Sequence, residues 1–303
     1  MGKVAIVTGA SRGFGRGIAK ILAAEANYKV YATARNETAL ENLKDEVLAL
    51  GVDGHISACV LDQSDDAAVY RLVEQVVREN GKIDVLVNSA YGGLVAMTPH
   101  FGKPFWERPI SVFDGSMEIG VRSSYVMSAF VAPHMVNKRS GMIFQISSYG
   151  GFGYLFDVGY GVAHAAMDRL SYDMAVELNE HNIRSICVHP GAGQTEITAF
   201  PDGESPDYVG RAILALAEKA SPAFLDQANG KTLFTAELAH EFGFREDYDK
   251  DGSLNEKRLK ELEPFKEMAS KTLAQYDIKA VLPSFKDTNN EGFADLFPGA
   301  KVQ

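Results

Sequence analysis

The chain has 303 residues, of which 46% are hydrophobic and 23% charged, with ordinary numbers of glycine and proline. This is the composition of an ordered globular protein long enough to bury a real core. A net charge of −10, with no cluster or stripe of Lys and Arg to offset it, argues against nucleic acid as a partner.

Short β-branched runs alternate with longer helical patterns. "KVAIVT" is followed by a helix over 13 to 26, "KVYATA" by one over 37 to 50, "HISACVL" by one over 65 to 80, and "IDVLVNS" by a long stretch ending near 137. The alternation continues through "GMIFQIS", a helix over about 160 to 180, "IRSICVH", a helix over about 206 to 220, and "KTLFTA". Seven nearly continuous apolar strands with intervening helices predict a doubly wound α/β fold, a Rossmann arrangement. Its parallel sheet is covered by helices on both faces, because parallel neighbours need crossover connections. Ligands are then expected beyond the carboxyl ends of the strands. Residues 1 to 245 form the catalytic domain in this reading. Residues 246 to 303 are charged and helix-prone, and form a helical extension packed on it rather than a second domain.

The N-terminus enters a strand almost at once, which leaves no room for a signal peptide. The longest apolar stretch, "YVMSAFVAPHMV", is short of the ~18 residues of a membrane span and carries Pro133. Met1 and Gly2 are followed by Ile6 where a myristoylation signal needs serine or threonine. Cys59 and Cys187 each lie in an apolar run and read as small buried hydrophobes, not as metal ligands or a disulfide framework. A soluble cytoplasmic protein is expected. "DYDKDGSLNEKR" spaces Asp247, Asp249, Asp251 and Gly252 like a calcium loop, but Arg258 stands where a bidentate glutamate is needed. It reads as an acidic turn, and no metal is expected.

"VTGASRGFGRG" follows the first strand and opens a helix, with Gly9, Gly13 and Gly15 spaced TGxxxGxG and Ser11 and Arg12 between them. The glycines permit a tight turn and close approach of a pyrophosphate to a helix N-terminus, where free N–H groups favour an anion. At the end of the second strand an NAD-selective protein places a carboxylate for the ribose 2′-hydroxyl; here Ala34 is followed by Arg35. Arg35 and Arg12 together suit a 2′-phosphate, so NADP(H) is the expected cofactor.

"TGASRGFG", "LDQSD", "VNSAYGG", "ISS", "YGVAH" and "HPGAGQTEI", in that order, resemble the short-chain dehydrogenase/reductase superfamily over roughly residues 3 to 245. A narrower likeness, to its dehydrogenase/reductase member 1 group, is carried by "KPFWERP", "GVRSSY" and the segment from "SPDYVGRAILALA" through "GKTLFTAELAHEFGF". The resemblance implies that Asp62 and Gln63 contact the adenine. Asn88, Ala90 and Tyr91 stand where the family's NNAG lines the adenosine ribose, with Ser89 in place of its second asparagine. Pro190, Gly191 and Thr195 match the PGxxxT segment that holds the nicotinamide carboxamide. Ser148 and Tyr160 fall at the catalytic serine and tyrosine, with Ser147 the competing serine.

His164 stands where the family has the lysine of YxxxK, a permanent cation that lowers the tyrosine pKa and holds the nicotinamide ribose. Histidine, with an ordinary pKa of ~6.5, is protonated only about a quarter of the time at pH 7, so its assistance should fade as pH rises. It also lies beside the apolar stripe of Ala163, Met167 and Leu170, where a packing histidine is common. Gly120 is a second departure, at a point where many members have an asparagine.

Tyr154, Leu155 and Phe156 are expected to wall an apolar substrate pocket, and Trp106 either helps to cover it or packs structurally. The reading is an NADP(H)-dependent carbonyl reductase or alcohol dehydrogenase acting on a lipophilic ketone or aldehyde, assembled as a homodimer or homotetramer. A nucleotide-binding pseudoenzyme, having lost the lysine, is the rival. A cofactor-free lyase resembling the halohydrin dehalogenases is a third reading, opposed by the intact "TGASRGFG".

Overall fold

The computed structural model describes residues 2–274; residues 275 to 303 of the expected extension lie outside the described residues. Strands β1 (Val4–Thr8), β2 (Lys29–Ala34), β3 (His55–Val60), β4 (Val85–Asn88), β5 (Gly141–Ile146), β6 (Ile183–His189) and β7 (Thr232–Phe234) form one parallel sheet in the order β3-β2-β1-β4-β5-β6-β7. Each strand is short and apolar because both of its faces are covered. In β1, Ala5 and Val7 enter one core while Val4 and Ile6 enter the other.

The first core is closed by α1 (Gly13–Ala26), α2 (Glu37–Ala49) and, from the far half of the chain, α8 (Pro206–Leu214), through Ile18, Leu22, Leu40, Leu43, Tyr208 and Ile213. The second is closed by α3 (Asp66–Asn80), α6 (Ser123–Lys138) and α7 (Val158–Leu178), through Val69, Val73, Met127, Val131, Met135 and Leu178. Strand order reverses between β1 and β4. Their carboxyl ends therefore diverge into a crevice, the usual place for a ligand on such a sheet.

The long stretch after β4 is not one helix. It is divided into α4 (Gly93–Met97), an irregular segment with two 3-10 turns, and α5 (Ile110–Ser116), followed by a π turn at Met117–Arg122 in which Ile119 leaves helical geometry, and then by α6. Pro109 precedes the first residue of α5, and a bond from the Gly92 N–H to the Ile119 carbonyl ties the start of α4 to the π turn, whereas Pro133 lies inside α6 without ending it, since Val131 and Met135 hold that helix on the sheet. The helix expected over 206 to 220 is α8, continued by a π turn at Ala215–Lys219. Two further helices, α9 (Pro222–Ala228) and α10 (Thr235–Phe242), flank β7.

The extension contributes α11 (Ser253–Ala274), whose Leu262 joins Phe152, Phe234 and Ala236 in a small third cluster. The acidic turn before α11 caps it: Asp249 accepts from the Leu254 N–H and Asp251 from the Ser253 N–H. Arg258 turns away from those carboxylates to Glu246 at 2.9 Å and to the Gly203 carbonyl at 2.8 Å. No helix among the described residues is long and apolar enough to cross a membrane.

Candidate active site

Two adjoining cavities open at the carboxyl ends of the strands. One, of about 240 Å³, runs over the glycine loop and is lined by Gly9, Ser11, Arg12, Gly13, Gly15, Arg35, Asp62, Gln63, Ala90, Tyr91, His164 and Thr195. Gly9 adopts φ +68, and a Cβ there would lie 2.8 Å from the Ala90 Cα, so the loop lies directly on the end of β4. Thr8 Oγ1 fixes that junction by accepting from the N–H groups of Ser89 and Ala90.

This groove fits a dinucleotide. An anion already stands on the N-terminus of α1, where the Glu196 carboxylate accepts from the Gly13 N–H at 2.8 Å. Arg12 and Arg35 are exposed at the groove and have no ion-pair partner among the described residues. Gln63 donates to Thr33 Oγ1 and leaves its buried Oε1 unpartnered. The Asp62 carboxyl is held below its usual range by hydrogen bonds from Ser64, with the Arg35 guanidinium adding to the effect. Asn88 departs from expectation: it is buried behind the groove, where its amide donates to Ser128 Oγ and ties β4 to α6.

The second cavity, of about 380 Å³, holds Ser148, Leu155, Phe156, Pro190 and Gly191, and is closed by Phe14, Phe200 and the α11 residues Arg258, Glu261 and Leu262. Pro190 and Gly191 thus line this cavity and not the groove over the glycine loop. Tyr160 and Ser147 line both cavities. Tyr154 is not a wall residue, being 79% exposed. Its neighbour Phe156 adopts φ +64, a turn that swings the Phe156 ring inward against Tyr160. Trp106 is 72% exposed and meets Phe105 edge to face, so it neither covers the cavity nor packs in a core.

Tyr160 is placed by the first turn of α7. Asp157 caps that helix by accepting from the Tyr160 N–H at 2.7 Å, and is itself held by a buried ion pair to Arg108 at 2.6 Å. Burial dominates the Tyr160 phenol and pushes it up to about 12, while the nearby Ser148 hydroxyl acts in the opposite direction. Ser147 is engaged elsewhere: its hydroxyl donates to the His164 carbonyl at 3.2 Å. Of the two serines, Ser148 is therefore the one presented to the phenol.

His164 is 4% exposed, with its ring 4.0 Å from that of Tyr160 and 4.8 Å from that of Tyr91. Burial pushes its pKa down to about 4, so it is neutral at pH 7 and not partly cationic as its ordinary value implies. Its Nδ1 lies 2.7 Å from the Tyr160 backbone carbonyl, which can only accept. Nδ1 therefore carries the proton and Nε2 is left as an acceptor. A lysine would offer donors only. Gly120 has its own reason: a Cβ there would lie 2.9 Å from Tyr91 Cδ2, so Tyr91 fills the space that a side chain at 120 would need.

Beneath this center Asp168, Cys187 and His189 converge. Asp168 Oδ1 lies 2.8 Å from His189 Nε2 and 3.1 Å from Cys187 Sγ, both hydrogen-bond distances, while Asp168 Oδ2 and His189 Nδ1 are buried without a hydrogen-bond partner. Sequence reasoning missed Arg108, Glu196 and the α11 wall, all of which reach the site across the fold. It also missed Glu204, a buried carboxyl that lines the larger cavity and is raised by burial to about 7.

A family model for short chain dehydrogenase matches residues 3–203. Dehydrogenase/reductase SDR family member 1 of Mus musculus is 38% identical over 266 residues, covering 81% of this chain and 83% of the relative. Among solved structures, a metagenomic short-chain oxidoreductase in complex with NADP is similar with a TM-score of 0.65 and 27% identity, over 77% of this chain and 96% of its own. A 7α-hydroxysteroid dehydrogenase complexed with NADH and 7-oxo glycochenodeoxycholic acid gives 0.67 and 31%, over 77% and 92%.

Proposed function

The chain belongs to the short-chain dehydrogenase family, and from that premise we propose that it is an NADP(H)-dependent oxidoreductase interconverting a lipophilic ketone or aldehyde and its alcohol. The observation that carries this reading is the placement of Ser148 and Tyr160 on one cavity, with Tyr160 standing where the two cavities meet. The family binds a nicotinamide cofactor; relatives of known structure hold NADP in one case and NADH in another. Arg12 and Arg35 favour the 2′-phosphate form here.

The nicotinamide, when bound, supplies or accepts the hydride. Ser148 hydrogen-bonds the substrate oxygen, and Tyr160, a phenol at neutral pH, donates a proton to that oxygen in the reductive direction. His164 accepts from a ribose hydroxyl through Nε2. Leu155, Phe156, Phe200 and Leu262 exclude water and suit an apolar substrate body. Val158 and Val162 of α7, with Ile110 and Phe113 of α5, are exposed apolar residues that suit a second copy in a homodimer or homotetramer, in the cytoplasm.

The neutral His164 also favours a second reading, a pseudoenzyme that binds NADPH without turnover. NADPH oxidation against a panel of ketones, aldehydes and quinones decides between them. Turnover that is lost in Tyr160→Phe supports the reductase. Tight NADPH binding with no turnover of any of these classes would replace it with the binding protein.

A further inference from the structure

Tyr91 leaves the turn after β4 and inserts its ring between two glycines. A Cβ at Gly120 would lie 2.9 Å from Tyr91 Cδ2, and one at Gly93 would lie 2.4 Å from the Tyr91 hydroxyl. The slot therefore exists only because both positions lack a side chain. Its far end is hydrogen-bonded: the Tyr91 hydroxyl lies 3.1 Å from Ser116 Oγ, and Ser116 Oγ donates to the Val112 carbonyl. Since the Ser116 hydrogen is committed to that carbonyl, the Tyr91 hydrogen must go to Ser116. It points away from Tyr160 and His164, so Tyr91 is no proton relay.

The ring, not the hydroxyl, reaches the center. It is tilted at 58° over the His164 imidazole with centroids 4.8 Å apart, and it meets Tyr160 edge-on at 5.8 Å. With Tyr160 and His164 themselves 4.0 Å apart, the three rings are in mutual contact. The His164 side chain is thus held by packing against two rings and by one Nδ1–H hydrogen bond to the Tyr160 carbonyl.

We propose that Tyr91 is a positioning residue, whose ring clamps the His164 imidazole in the orientation and tautomer that present Nε2 as a fixed hydrogen-bond acceptor to a cofactor hydroxyl. The cofactor half of this statement rests on the proposed function; the clamp does not. Without the ring, His164 loses one packed face and admits water. Its second tautomer then becomes accessible, with Nε2 a donor.

The test uses the full chain labelled with ¹⁵N-histidine, His164 being assigned by comparison with His164→Gln. In the native protein and in Tyr91→Phe, the ring nitrogens should report a single Nδ1–H tautomer. In Tyr91→Ala they should average between tautomers and titrate at higher pH than in the native protein. A fluorescence titration with NADPH should show a dissociation constant raised about tenfold in Tyr91→Ala, the worth of one neutral hydrogen bond, and recovered in Tyr91→Phe. If Tyr91→Ala does not fold, Gly120→Ala displaces the ring without opening a cavity and should disturb the same signals. A single unchanged tautomer in whichever of Tyr91→Ala and Gly120→Ala folds overturns the clamp, as does a Tyr91→Phe protein that behaves like Tyr91→Ala. Failure of the native protein to bind NADPH would overturn the cofactor reading alone, and the nitrogen signals would still judge the clamp.

Discussion

Replacing His164 by lysine would put a permanent charge into a site that this protein keeps neutral. With the imidazole at about 4, roughly one molecule in a thousand carries the charge at pH 7. Tyr160, at about 12, rests as the phenol. An ammonium ~5 Å from the phenolate oxygen, at an effective dielectric of ~20, contributes about 3 kcal/mol, or roughly two pKa units. Alcohol oxidation, which needs the phenolate, should therefore rise by up to about 100-fold at pH 7 in His164→Lys, less whatever the buried ammonium loses to desolvation. Neither group titrates from pH 5.5 to 8.5, so carbonyl reduction should be flat there in Glu204→Gln, which removes the cavity-lining carboxyl that is raised to about 7. The same variant should oxidise alcohols at a rate rising roughly tenfold per pH unit. The assay is initial rates in both directions on native and variant protein. A reductase rate that falls with a midpoint near 6.5 in the native protein and in Glu204→Gln alike would show that His164 titrates like an exposed imidazole and would refute the burial argument, restoring the fading activity that the sequence alone suggests.

Ser148→Ala should lower kcat by roughly 100-fold, the usual cost of one donor at a reacting oxygen, whereas Ser147→Ala, whose hydroxyl faces the His164 carbonyl, should cost far less. Arg35→Ala and Arg12→Ala should each weaken NADPH by about tenfold and leave NADH unchanged in a titration; NADH binding as tightly as NADPH in the native protein would remove the 2′-phosphate assignment. Arg108→Ala leaves Asp157 buried and unpaired at the cap of α7 and should cost about 3–5 kcal/mol in urea unfolding, part of it recovered by adding Asp157→Asn; a loss below about 1 kcal/mol would show the pair to be dispensable. Glu204 has its folded pKa raised from 4.5 to about 7, so the folded protein holds a proton that the unfolded chain has released. Stability from this group is full below pH 4.5 and is lost as pH rises to 7; Glu204→Gln should thus stabilise by about 3 kcal/mol at pH 8 and by almost nothing at pH 4.5, as denaturant midpoints at the two pH values would show.

The strands and the glycine loop were legible because they are written locally: apolar runs of strand length, then Gly9, Gly13 and Gly15 at the mouth of a helix. The breaks between Gly93 and Arg122 were less so. Their cause is a backbone bond from the Gly92 N–H to the Ile119 carbonyl, which no periodicity announces. Glu196 and Arg258 reach the site over 183 and 55 residues to their partners at Gly13 and Gly203, so their roles could only be seen once the chain was folded. Asn88 and Tyr154 show the opposite error. Motif position placed both at a cavity, and packing turned one inward to Ser128 and left the other in solvent.

His164 and Gly120 could be read from the sequence as two separate departures from a family pattern, and Tyr91 only as part of the turn that lines the ribose. The structure joins them. Gly120 is empty where Tyr91 is full, and Tyr91 rests on the imidazole that stands in for an ammonium. A long cationic side chain at 164 would have to lie between two aromatic rings without the water that an ammonium needs, while a flat neutral imidazole fills the same space and keeps one polar nitrogen available. The three positions are therefore expected to be energetically coupled. Double-mutant cycles between Tyr91→Phe or Tyr91→Ala and His164→Lys, read on NADPH affinity, should depart from additivity for the alanine and be nearly additive for the phenylalanine. Additivity in both cycles would mean that the three positions act independently, and the pseudoenzyme reading would gain accordingly.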